Sequence, residues 1–144
     1  MFKSLFKKTK KPEIVEDNEK LTAITCLLVE AALIDGEFGE AEKDIIISII
    51  KKQFNLKDAT YVDNLIEKAK VDLQNSGDLV TYTRVVKENW KLSERVEVIE
   101  LLWKVCLVDN IIEPYEDMLI RRIAGLIYVS DKDRNLAKKR IMSQ

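Results

Sequence analysis

Two stretches of this 144-residue chain carry the same pair of acids at the same spacing. "ALIDGEFGEAE" holds Asp35 and Glu42, and "CLVDNIIEPYE" holds Asp109 and Glu116, so both acids recur 74 positions apart. Carboxylates beside free backbone carbonyls form an all-oxygen donor set, which suits calcium, magnesium or manganese. One reading is a divalent cation at each hinge, held by Asp35 with Glu42 and by Asp109 with Glu116. The hinges are too short for an EF-hand, whose loop needs twelve residues.

A second reading needs no metal. Gly36 and Asn110 follow the two Asp residues, and these residue types best tolerate the left-handed turn that stops a helix. Each Asp then sits at a helix C-terminus, where the dipole disfavours a carboxylate by about 0.3–1 kcal/mol. A cation would relieve that charge, and so would hydrogen bonds from turn amides in an Asx turn. Gly39 and Glu113 fall at the cap of the next helix, with Glu40 and Pro114 first inside it. Glu42 and Glu116 then occupy the third helical position, from which a Glu side chain reaches back to the cap N–H. Both readings stand at this level.

Other chemistries are excluded more sharply. The chain has no histidine, which removes His-based acid–base catalysis and ordinary His/Cys zinc sites. Cys26 and Cys106 lie in apolar helical runs without CxxC spacing and read as reduced core thiols. No glycine-rich phosphate loop or nucleophile elbow is present. The four hinge carboxylates have no nucleophile beside them, so the reading is a non-enzymatic binding or scaffold module.

The elements that must position the hinges are helical. Gly (4) and Pro (2) are scarce, and apolar residues recur at helical spacing. Seven helices are expected. The first starts near Asp17 or Asn18, with Leu21, Ile24, Leu28, Ala31 and Ala32 on one stripe. The second runs through "EAEKDIIISIIKKQF", and Asp58 caps the third. A fourth follows the "NSGD" break. Ser93 caps the fifth, Pro114 opens the sixth, and Ser130 with Asp133 opens the seventh. The 74-residue offset also matches Leu28 with Leu102, Ile46 with Ile120, Ile49 with Ile123, and Phe54 with Tyr128. The fold expected is therefore all-α, with duplicated helical hairpins related by a pseudo-two-fold axis. Trp90, Trp103, Tyr82 and Tyr128 read as packing residues. Arg122 is expected to pair with Asp117 or Glu116 across helical turns.

Charge divides the chain into residues 1–17, a basic tail and linker, and residues 18–144, the helical domain. The first eleven residues hold five lysines and no acid, leaving 19 basic against 25 acidic residues in the rest. An acidic body argues against nucleic acid, since phosphate binding needs a basic surface. In "MFKSLFKKTKK", Phe2, Leu5 and Phe6 share one side of a would-be helix, with Lys3, Lys7 and Lys8 around them. That pattern fits a peripheral anchor on anionic lipid; a solvated tail is the rival reading. No segment spans a membrane and no secretory signal is evident, so the expected location is cytoplasmic, with the inner membrane face as the alternative.

"AALIDGEFGEAEKDII" and "CLVDNIIEPYEDMLIRRIAGLI" resemble the tellurite-resistance TerB-like family of bacterial helical proteins, and the likeness extends from about Lys20 to the end of the chain. It implies an all-helical, internally duplicated domain with an acidic surface. It also implies a cytoplasmic, stress-associated role linked to metal and to membrane-located protein partners. The family's acidic motif falls on Asp35, Glu42, Asp109 and Glu116. Asn110 departs from the pattern, because a second Gly is usual there.

Overall fold

A computed structural model describes residues 11–34, 38–75, 79–108 and 111–144, with side chains from Glu19 onward. The described residues form seven α-helices and no strand. They are α1 (Lys11–Leu33), α2 (Glu40–Gln53), α3 (Ala59–Asn75), α4 (Leu79–Asn89), α5 (Leu92–Cys106), α6 (Pro114–Leu126) and α7 (Asp131–Met142).

Local chemistry explains most of the boundaries. Asp58 caps α3 as expected, its Oδ1 accepting from the Thr60 and Tyr61 amides at 2.9 and 3.3 Å. Ser130 caps α7 by accepting from the Asp133 amide at 3.1 Å. Two starts differ from expectation. α1 begins at Lys11 rather than near Asp17; Pro12 falls in its first turn, where a missing N–H breaks no helical bond. α5 begins at Leu92, with Lys91 and not Ser93 at its cap. There Glu94 reaches back, its Oε1 accepting from the Lys91 amide at 3.3 Å and closing a capping box with Lys91.

α1 is the centre of the molecule. It packs against α2, α3, α4, α5 and α6. A single apolar stripe was the expectation, but Ala23, Ile24, Cys26, Leu27, Leu28, Val29, Ala31 and Ala32 are all buried, so from Leu21 to Ala32 the helix is covered on every side. Its one buried hydroxyl, Thr25, donates to the Leu21 carbonyl at 2.8 Å. Around this axis α2 packs on both α1 and α3, and α6 packs on both α5 and α7. α4 bridges α1 and α6.

α2 and α6 begin and end alike. Each closes with a residue at positive φ, Asn55 at 54° and Tyr128 at 59°. Each then closes the turn with an amide reaching five residues back: Leu56 to Lys51 at 2.9 Å and Val129 to Ala124 at 2.8 Å. α6 is one residue shorter, 13 against 14, so the match of Phe54 to Tyr128 fails. The counterpart of buried Phe54 is buried Ile127, and Tyr128 is 69% exposed. Tyr128 is therefore not a core residue, whereas Trp90 and Trp103 are.

Candidate functional site: the acidic hinges

Both hinges lead into a helix whose first turn is acidic. α2 opens with Gly39 at the cap and Glu40 and Glu42 in the first turn; α6 opens with Glu113 at the cap, Pro114, then Glu116 and Asp117. The exposed backbone amides at such a terminus carry partial positive charge, which holds carboxylates there without any ion. Glu116 is only 6% exposed, and its Oε1 accepts from the Glu113 amide at 2.9 Å. Glu42 folds back in the same sense: a Cβ added to Gly39 would lie 2.8 Å from Glu42 Oε2. Glycine at this cap leaves room for that carboxylate.

The other half of the expected donor set, Asp35 and Asp109, lies outside the described residues, as do Gly36 and Asn110. Among the described residues no three acids or cysteines come together in a way that could hold a metal ion. Of the expected donors, Glu42 and Glu116 are the described ones, one at each hinge, and Glu116 already spends one oxygen on its helix cap.

The surroundings hold residues that the sequence reading missed. Lys43, next to Glu42, bonds Asp63 at 2.6 Å and Glu67 at 3.2 Å on α3. Lys70 also reaches Glu67 at 3.2 Å, and its ammonium stands 4.4 Å from the centre of the Phe38 ring, just after the first hinge. These hydrogen bonds push the Lys43 pKa up and the Glu67 pKa down. At the second hinge, Asp117 takes Arg121 at 3.4 Å and Lys138 at 3.7 Å. Arg121, at i+4, is thus the partner expected of Arg122. Arg122 instead acts on Glu30 of α1, whose pKa burial raises and the Arg122 charge lowers. Lys138 also lies 4.9 Å from the centre of the Trp103 ring. The i+4 spacing could have revealed Arg121 with Asp117, but the α2–α3 bonds join residues 20 or more apart and leave no local signal.

Leu107 and Val108, the last described residues before the second hinge, line an open groove of about 550 Å³ together with Ile45, Lys104, Ile141 and Met142. The helix stop there is ordinary, with the Leu107 amide donating to the Trp103 carbonyl at 2.9 Å.

Compared with known protein families, the chain matches the model for tellurite resistance protein TerB over residues 21–139. The chain belongs to the TerB family. The match runs from Leu21, midway along α1, almost to the end of α7, so it includes both hinges. No curated protein and no solved structure matches the chain. The TerB assignment agrees with the all-helical fold and sets the hinges in a tellurite-resistance context. Among the described residues no helix is long and apolar enough to cross a membrane.

Proposed function

We propose that this TerB-family chain is a non-enzymatic binding module of a tellurite-resistance-like stress response. In this reading it carries a divalent cation at one or both acidic hinges and uses the charged surface around them to dock protein partners. The observation that supports it best is the recurrence of the hinge. Glu42 and Glu116 take the same third helical position and fold back over their own cap residues, each seven positions after its Asp. A bound cation would neutralise the Asp charges where the preceding helix dipoles oppose them. Titration of the metal-free protein with calcium, magnesium and manganese, read by thermal melting of wild type and of Asp35→Asn/Asp109→Asn, tests it.

The alternative is a peripheral membrane adaptor that works through Phe2, Leu5, Phe6 and the surrounding lysines without metal. Its support is the amphipathic, basic pattern of those residues.

A further inference from the structure

Glu97 and the open groove lie on one side of α5. Glu97, Glu100 and Lys104 follow at spacings of three and four, which sets them along a single helical face. Lys104 then opens the groove, with Leu107 and Val108 just past the helix, Ile45 of α2, and Ile141 and Met142 of α7. Arg140 of α7 answers Glu100 at 2.6 Å. Glu97 is half-buried, and burial raises its pKa. The largest opposing influence is the positive charge of the chain's amino terminus, ahead of Lys104, while Glu100 and Glu94 push the same way as burial.

We propose that the chain's own N-terminal segment, residues 1–10, folds back onto this face, with its amino terminus against Glu97 and with Phe2, Leu5 and Phe6 in the groove. The segment lies outside the described residues; its reach, size and charge carry the assignment. Ten residues extend up to about 35 Å. That is more than twice the radius of gyration of about 15 Å expected for a chain of 144 residues, so the start of α1 does not limit where they dock. Glu97 and Lys104 stand about 10 Å apart along the helix, and the chain from residue 1 to residue 6 covers about 8 Å as helix and about 17 Å extended. A cavity of about 150 Å³ takes one benzene ring, so the groove, at about 550 Å³, has room for three apolar side chains. Lys3, Lys7 and Lys8 fall on the other side of a helical segment, so they stay in water and clear of Lys104. The contact can be weak, because a short tether holds the segment at about millimolar effective concentration. Lipid would need the same three side chains, so docking also holds the segment off a membrane.

Carbodiimide cross-linking of the full chain, mapped by mass spectrometry, is expected to join the Met1 amine or Lys3 to Glu97. A mixture of isotope-labelled and unlabelled chains separates cross-links within one chain from those between two. The Lys43–Glu67 pair, 3.2 Å apart, is the internal standard. Phe2→Ser/Phe6→Ser should lower the Glu97 cross-link by about fivefold or more relative to that standard, since each substitution removes apolar burial. Ile141→Lys, which puts a charge in the groove, should do the same from the other side. The serine substitutions precede α1, so they test the contact even where Ile141→Lys disturbs packing. Val71→Lys, on an exposed apolar residue of α3, should leave the cross-link unchanged. Tail amines joined to acids all over the surface with no preference for Glu97, a Glu97 cross-link that forms between two chains, or equal yields in wild type and the serine variant, overturns the proposal.

Discussion

Lys43 and Asp117 occupy the same step of their helices, the fourth residue of α2 and of α6, and carry opposite charges. Each is answered by the helix that follows: Lys43 by Asp63 and Glu67 of α3, Asp117 by Lys138 of α7. The inter-helix tie is kept while its polarity is reversed. Asp117 also suits the positive end of its helix, whereas Lys43 sits against it and depends on the α3 acids.

Lys43→Glu should therefore destabilise the protein even though it improves the match to the α2 dipole, because three acids then share one patch. The expected loss is about 1 kcal/mol, the scale of part-exposed ion pairs, and it should shrink in 1 M salt. Urea unfolding at low and high ionic strength measures it. A loss that salt leaves untouched would indicate a packing effect instead.

Melting should separate the two accounts of the hinge acids. An ion that binds only the folded state adds about 2.7 kcal/mol at 100 times its dissociation constant. Asp35→Asn/Asp109→Asn keeps an acceptor for turn amides but removes the charge, so it should fold normally and lose the metal-dependent rise. Gly39→Ala should cost less than about 1 kcal/mol, since the flexible Glu42 carboxylate can swing away, but should blunt the metal response at that hinge. If none of calcium, magnesium and manganese shifts wild-type melting, the cation reading fails.

Cys26 sets a limit at alkaline pH. Burial pushes its thiol up to about 11, against a smaller opposite pull from a hydrogen bond with Tyr82. The unfolded thiol loses its proton near its ordinary value of 9.0, and the folded one holds it. Stability from this group is thus complete below pH 9 and drains away as pH rises toward 11, by about 2–3 kcal/mol in all. Cys26→Ala should be less stable at neutral pH but should show a flatter decline across that window. Parallel pH slopes for the two proteins would refute the assignment.

The tail makes a separate prediction. Full-length protein should float with anionic vesicles in low salt, and removal of residues 1–11 should abolish flotation, each lysine contributing roughly 1 kcal/mol near the surface. Equal flotation of both chains, or of neither, counts against the adaptor reading.

Helix number and the α2 and α6 starts were legible in the sequence because capping is local: Pro114, Glu116, Asp58 and Ser130 each declare a terminus within four residues. The surround of α1 was not, since burial on every side comes from helices far along the chain and leaves no contrast between faces. The 74-residue offset sets buried Ile46 and Ile49 against buried Ile120 and Ile123, but at its end it sets buried Phe54 against exposed Tyr128, because α6 is one residue shorter. Of the candidate site, Glu116 makes the cap bond expected from its helical position, and Glu42 lies close over Gly39. The lysines around the hinges come from tertiary packing, which no short-range spacing encodes.

The covering of α1 also matters while the chain is being made. Two of the helices that shield it, α5 and α6, are translated some tens of residues after it, which at about 5–20 residues per second leaves its apolar surface waiting for several seconds. During that interval a helix rich in Leu, Ile, Val and Ala has only part of its cover. Nascent chains stalled before α5 should therefore bind holdase chaperones, and release should coincide with the emergence of α6 from the ribosome.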